Sequence, residues 1–407
     1  MPFAGYWAKT AALYQLDSMT EEERLDKLYE IRTVRVHSLV ACELACTFCS
    51  VKTTRRWASG SMKPSIINLS PEAFERNLLA IKEQVPDVMT IYDSCDEAWL
   101  GRGRAEEYLG VLEKIKPIMD AGLPRGLRWL VQCRTNDLTE ELIIRAGRVG
   151  IRHLTIGVES PVAQVRKDMK KPQSEELVRN VARWGTANGV SIYMLFIGFF
   201  PSLRLEQIRE AIENWRTYIS LGATISIEPF AMAYQGTDLA DDASLLTEFA
   251  DYDIPFSGTP ARRLKWATLI WPTDRRVCAL LQWVRANLDQ LIEEHRKSVG
   301  HDHMFKGSVG TVIIDAIEQA MNLYEQGKLS PWNLDGKGQR SLVYQDYGDQ
   351  LSGAEIAAVA KEGKHRTTTR FNSTHGTLDD SANAGVKGRI KDPALPHEMH
   401  LPILKED

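Results

Sequence analysis

Apolar and polar positions along this chain follow two periods in turn, one suited to strands and one to helices. Six short runs rich in β-branched and apolar residues predict strands: Thr33–Val40, Val88–Tyr92, Leu127–Arg134, His153–Glu159, Val190–Gly198 and Thr224–Glu228. Helical spacing fills the gaps, over Glu72–Gln84, about 105–121, Glu140–Val149, Glu175–Asn188 and about 205–221. The helix starts are marked. Ser70 precedes Pro71, a cap followed by a residue preset for the first turn. Thr139 and Ser174 are further caps, and Gly150 and Gly189 stand where helices stop. An earlier helix begins at Ser18 or Thr20, with Glu21, Glu22 and Glu23 at the positive end of its dipole.

Strand followed by helix, repeated, specifies a parallel sheet with helices outside it. Short apolar strands suit burial on both faces. The expected fold class is α/β, a partial (βα)6 TIM-like barrel with its chemistry at the C-terminal ends of the strands. After about residue 240 the alternation stops. Residues 260–330 carry helical spacing at Leu280, Leu281, Val284 and Leu288, and again at Val312, Ile313, Ile317 and Met321. From about 362 the chain is polar and reads as loop or disordered chain. The expected division is an N-terminal segment 1–30, a barrel 31–240, a mainly helical C-terminal region 241–361 and a polar tail 362–407.

Composition narrows the function. The net charge is −4, so there is no global basic field and no nucleic acid is expected as a partner. No run approaches the length of a membrane span, and the N-terminus lacks the pattern of a signal peptide. Six cysteines in 407 residues are too sparse for a disulfide scaffold and fit a reducing, cytoplasmic setting.

Three of those cysteines lie together in Cys42-Glu-Leu-Ala-Cys46-Thr-Phe-Cys49, directly after the first predicted strand. A four-iron cluster ordinarily takes four thiolates, so three in one loop leave one iron open for another ligand. Half of a zinc site is an alternative, although zinc favours paired Cys-x-x-Cys knuckles. Buried free thiols are another.

The Cys-x-x-x-Cys-x-x-Cys spacing, with Phe48 ahead of the last cysteine, resembles the signature of the radical S-adenosylmethionine (AdoMet) enzymes. Downstream segments over roughly residues 30–240 resemble the family's cobalamin-binding and methylthiotransferase-like branch. They are Asp93-Ser-Cys-Asp96, Arg134 with the capped helix after it, Ile156-Gly-Val-Glu-Ser160 with Lys170 or Lys171 beyond, Phe196-Ile-Gly-Phe-Phe-Pro201, and Pro229 with Gly236-Thr237. The resemblance implies a [4Fe–4S] cluster on Cys42, Cys46 and Cys49, with AdoMet chelating the open iron. It implies that Phe48 packs near adenine, that Asp93 and Ser94 meet the methionine amine, and that Arg134 meets its carboxylate. Glu159 would accept from the ribose hydroxyls. Ile197, Gly198, Phe230 and Ala231 would form the adenine wall. Core packing for Ile197 and structural ion pairs for Arg134 and Glu159 are the plain alternatives.

Two departures stand out. The segment before residue 30 is too short for a cobalamin domain, and there is no Asp-x-His-x-x-Gly; His301-Asp-His303 has another spacing. Cobalamin is therefore an alternative cofactor rather than the first expectation. Cys95 and Cys133 end strands two and three, where a thiol could donate a hydrogen atom to a product radical. With Cys278 they could bind a second cluster; as small buried hydrophobes they would do neither. Lys52, Arg55 and Arg56 follow the cysteine loop and suit a substrate carboxylate or phosphate, or a solvated loop.

The functional expectation is reductive AdoMet cleavage to a 5′-deoxyadenosyl radical. That radical would take hydrogen from a small molecule in natural-product, cofactor or pigment biosynthesis. An external one-electron donor such as flavodoxin or ferredoxin would supply the reducing equivalent. The alternatives are a cobalamin-dependent methyltransferase, radical modification of RNA or a peptide, and a non-enzymatic iron–sulfur electron carrier or sensor.

Overall fold

The computed structural model describes residues 16–40, 42–51, 67–234, 236–242, 244–245, 247–254, 262–299 and 308–329. The chain divides into two compact units, 1–343 and 344–407, and every described residue belongs to the first. The expected polar tail and the basic residues Lys52, Arg55 and Arg56 lie outside the described residues.

Helix α1 (Glu21–Ile31) opens on Thr20. The Glu23 N–H donates to the Thr20 hydroxyl, and the Glu23 carboxylate accepts from the Thr20 N–H at 2.9 Å. Two otherwise unpaired helix-end donors are thereby satisfied. Tyr29 anchors this helix, donating to the Gly126 carbonyl at 2.7 Å under the Arg128 guanidinium. Strand β1 (Thr33–Val36) follows. The expected strand to Val40 is broken: β2 (Leu39–Val40) pairs instead with β3 (Ile67–Asn68) in a separate antiparallel ribbon. The break has a tertiary cause, because the Ser38 N–H donates to the buried Asp93 carboxylate at 3.1 Å rather than to a neighbouring strand.

The βα series then runs in order. It comprises α2 (Pro71–Gln84), β4 (Thr90–Asp93), α3 (Arg102–Asp120), β5 (Arg128–Cys133), α4 (Glu140–Val149) and β6 (Ile151–Glu159). It continues through α5 (Ala163–Asp168), α6 (Glu175–Ala187), β7 (Ser191–Phe199), α7 (Ile208–Ser220) and β8 (Thr224–Ala233). Ser70, Thr139 and Ser174 each cap their helix by accepting a backbone N–H. Gly150 ends α4 at φ 97°, a left-handed conformation that costs glycine least. Beyond β8 come α8 (Asp238–Asp241), β9 (Thr247–Ile254), β10 (Arg262–Ile270), α9 (Arg275–Val299) and α10 (Ser308–Glu325).

The main sheet has eight strands in the order β1-β4-β5-β6-β7-β8-β10-β9. The first six are mutually parallel and form the partial barrel; β10 and β9 continue it antiparallel. One expectation is corrected here. Residues 262–270, expected to be helical, form β10, which pairs through Ile270 with Ala231 of β8. Alone, the 262–270 segment has no clear period; the exposed edge of β8 supplies the backbone partners that make it a strand.

Side-chain parity separates the two faces of the parallel sheet. Phe196 of β7 packs against Trp215 and Tyr218 of α7, with ring centroids 6.0 and 5.9 Å away. Ile192, Met194 and Phe196 therefore face the helices and are buried. Tyr193, Leu195 and Ile197 alternate with them, so they face the barrel lumen and are half-buried. The core behind β4 is aromatic: Phe74 lies tilted against Tyr108, Trp99 meets Tyr108 edge-on, and all three are essentially inaccessible. Each such ring contributes roughly 1.5–3 kcal/mol through burial. Helix α10 lies close on β8, with Gly310 against the Ile225 carbonyl. Among the described residues no helix is long and apolar enough to cross a membrane.

Candidate functional site

Cys42, Cys46 and Cys49 lie half-buried on the loop that follows β1 and β2. The loop is held by its backbone. Cys49 N–H donates to the Cys46 carbonyl at 3.3 Å, Thr47 N–H to Met169 at 3.1 Å, and Leu239 N–H to Thr47 at 2.9 Å. Thr47 is thus clamped between the end of α5 and α8, whose flanks are joined by a Lys170–Asp238 ion pair. Phe48 meets Phe200 edge-on at 6.5 Å. Burial pushes the Cys46 thiol up to about 12; Lys171 opposes the rise, while Cys49, Glu159 and Cys42 add to it. The three thiols therefore share one electrostatic neighbourhood, with an ammonium beside it.

These residues fit a [4Fe–4S] group. Among the described residues no three His, Cys, Asp or Glu side chains converge on a single metal ion. A four-iron cluster does not require that, because each thiolate takes a different iron. The chain offers three soft donors on a tethered loop, and a buried cation to balance an anionic cluster.

That cation is Lys171, which donates to Glu159 at 2.7 Å, with both side chains largely enclosed. Glu159 ends β6 at φ 69°, an uncommon conformation for a residue with a Cβ, where the ladder to β7 slips register. Gly157 makes room for the pair. A Cβ there would come within 2.2 Å of Glu159 Oε1 and 2.6 Å of Lys171 Nζ. Both atoms end flexible side chains, so Gly157→Ala is expected to part the ion pair rather than the strands. A loss of roughly 1–3 kcal/mol is expected in denaturant unfolding. An unchanged midpoint would show that the pair re-forms elsewhere.

Arg134 is engaged by two buried acids. Its guanidinium donates to both Asp137 oxygens, at 2.7 and 3.0 Å, and lies 3.2 Å from Glu97. Its backbone N–H also donates to Glu97 at 3.1 Å. Burial pushes the Glu97 carboxyl up to about 8, against the pull of Arg134. Sequence reading named Arg134 but neither acid; the Arg-x-x-Asp spacing was a signal for Asp137, whereas Glu97 arrives from another strand end. The plain ion-pair alternative describes this geometry.

The remaining expected residues divide between the faces. Asp93 is fully buried on the Ser38 N–H, while Ser94 faces the lumen beside His37 at 3.5 Å. Cys95 and Cys133 are 2% and 5% exposed; Cys133 alternates with the lumen-facing Gln132 and so lies on the helix side, while Cys95 lies just past the end of β4 beside the Ser38 hydroxyl. Cys278 is buried on the Pro272 carbonyl. Those placements favour the reading of small buried hydrophobes. Ile197 lines the lumen, Gly198 abuts Ile227, and Phe230 and Ala231 are buried.

Glu228 was passed over in the sequence. It pairs with Ile197 across β7 and β8, one residue beyond the helix-facing Phe196–Ile227 pair, so it points into the lumen. Burial pushes its carboxyl from 4.5 up to about 7, and a hydrogen bond from Phe230 N–H only partly opposes this. The folded protein thus holds this proton more tightly than the unfolded chain. That contribution to stability is complete below the unfolded value and is lost as pH rises through the folded one. Relative to Glu228→Gln, wild-type unfolding free energy should fall by on the order of 2 kcal/mol between about pH 5 and 8. A pH-independent difference between the two proteins would mean that Glu228 is solvated.

A parallel half-barrel with a three-cysteine loop at its strand ends defines a class of cluster-binding barrel domains. The family model described as the radical SAM superfamily matches residues 36–214. No curated protein matches the chain. Among solved structures, it is similar to the radical AdoMet methyltransferase TsrM from Kitasatospora setae, with cobalamin and a [4Fe–4S] cluster bound. The identity is 12% and the TM-score 0.48, covering 72% of this chain and 62% of that one. It is also similar to the cobalamin-dependent AdoMet radical enzyme OxsB with aqua-cobalamin and AdoMet bound, at 16% identity and TM-score 0.49 over 86% of this chain and 57% of that one. Methylornithine synthase PylB gives 13% identity and TM-score 0.37, covering 56% and 65%. The chain thus spans 62% and 57% of the length of the first two structures.

Proposed function

We propose that this protein is a radical AdoMet enzyme that abstracts hydrogen from a small-molecule substrate held in the barrel lumen. The observation that carries the reading is the cysteine loop at the C-terminal end of the first parallel strand, inside the segment 36–214. A [4Fe–4S] cluster held by Cys42, Cys46 and Cys49 would supply the one-electron reduction that cleaves AdoMet to methionine and a 5′-deoxyadenosyl radical.

The chain's own residues then have defined tasks. Cys42, Cys46 and Cys49, half-buried on their loop, hold the cluster as thiolates. Lys171 balances the negative charge and orients Glu159, whose carboxylate would accept ribose hydroxyls. Phe48 and Ile197 offer apolar surface to adenine. Ser94, with His37 beside it at 3.5 Å, would receive the methionine amine. Arg134 acts through Glu97 and Asp137, bracing the ends of β4 and β5. The electron comes from an external donor of the flavodoxin or ferredoxin kind.

The test is anaerobic reconstitution with iron and sulfide, reduction with dithionite, and addition of AdoMet. The reading requires an AdoMet-dependent change in the EPR signal of the reduced cluster, and 5′-deoxyadenosine by mass spectrometry. A reduced cluster whose spectrum ignores AdoMet would leave an electron carrier or sensor in its place.

A further inference from the structure

The lumen wall formed by β6, β7 and β8 carries His153, Thr155, Tyr193, Thr224, Ser226 and Glu228 on one face. Strands buried on both sides ordinarily present apolar residues inward, so a polar lumen wall marks a surface built for contact with a ligand. His153 and Tyr193 stack at 5.4 Å, and His153 lies 3.1 Å from the Thr155 hydroxyl, so these groups satisfy one another.

Among the described residues, the other charged groups around the lumen have neighbours of their own, and Glu228 is the exception. Glu159 is matched by Lys171 at 2.7 Å. Arg35 lies over the Tyr92 ring on β1, at the opposite edge of the parallel sheet from β8. Arg285 of α9 lies over the Phe230 ring at 5.5 Å. Glu228 is left with a backbone N–H from Phe230 and, among the described residues, no ion pair. A half-buried carboxylate without a cation is unfavourable, and the deficit is removed when a cation arrives.

We infer that Glu228 is the recognition carboxylate of the substrate site, and that the substrate presents to it an ammonium group carried on an apolar body. The inference rests on the radical reading above, since it names the substrate class for the same lumen. Leu195, opposite Ser226 on the same lumen face, supplies the apolar contact for the carbon body. Burial of the carboxyl between these walls makes it selective for positive charge rather than for any hydrogen-bond donor, because only a cation restores the ionised form.

The test uses the reconstituted, AdoMet-loaded protein and three matched probes: pentylamine, 1-pentanol and pentanoate. Binding is read by saturation-transfer NMR, and competition among the probes ranks them. Pentylamine is expected to bind at least about tenfold more tightly than either of the others. Glu228→Gln should lose that preference, and Glu228→Asp, which keeps the charge, should retain part of it. Equal binding of amine and alcohol to the wild type would overturn the inference. So would an amine preference that survives in Glu228→Gln. The AdoMet-dependent EPR change, measured on the same wild-type sample, keeps the two readings apart. If that change is present and the preference absent, only the amine assignment fails; if the change is absent, the radical reading itself fails.

Discussion

Cys46→Ala is expected to leave a folded protein that cannot assemble its cluster. Three thiolates are the minimum that holds a four-iron cluster with one iron open. Removing one exposes a second iron, and the cluster is lost. The loop itself should survive, since the bonds that tether it are backbone bonds at Thr47, to Met169 and from Leu239, rather than bonds to the Cys46 side chain. Iron content after reconstitution should therefore fall to near zero and 5′-deoxyadenosine should not form, with the far-ultraviolet circular dichroism unchanged. Cys42→Ala and Cys49→Ala should behave alike. Cys95→Ala and Cys133→Ala should keep their iron, because both side chains are buried outside the cysteine loop. A Cys46→Ala protein with a full complement of iron would reassign the ligands.

Arg134→Leu should cause the largest loss of stability of any single substitution at the barrel mouth. The Arg134 cation serves Glu97 and Asp137, whose side chains are 1% and 8% exposed. Removing it strands the Asp137 carboxylate and leaves Glu97, which burial already pushes up to about 8, without its counter-charge, in a region that water hardly reaches. Breaking a buried ion pair from one side costs about 3–5 kcal/mol, a large share of the roughly 5–15 kcal/mol that holds a typical domain folded. Denaturant unfolding of the anaerobic protein measures it. Introducing Glu97→Gln and Asp137→Asn together into the Arg134→Leu protein should recover part of the loss, because neutral amides tolerate burial better than unpaired charges. A loss below about 1 kcal/mol would place the trio among solvated surface pairs.

Much of the barrel could be read from local chemistry. Ser70, Thr139 and Ser174 begin helices in the structure as their hydroxyls predict. The apolar runs became parallel strands in chain order. Those features depend on residues a few positions apart, whose interactions form wherever the segment goes. Two departures have the opposite character. The first strand stops at Val36 because Asp93, more than fifty residues on, takes the Ser38 N–H. Residues 262–270 become a strand because β8 offers an open edge.

The site shows the same division. The cysteine loop was plain in the chain, because three soft ligands within one turn of backbone have few other uses. Gly157 gave no local reason to be glycine; the reason is the Glu159–Lys171 pair folded over it. Arg134 was visible as a cation, but its partner Glu97 comes from the end of a neighbouring strand. Glu228 lay in view on a strand whose alternating Thr224, Ser226 and Glu228 set out a polar face. Its meaning came from the register with Ile197, which turns that face inward. Period, capping and ligand spacing are short-range properties and are legible along the chain. Which charges are matched, and which one is left in the lumen awaiting a partner, depends on strand register and burial, and those exist only once distant segments have packed.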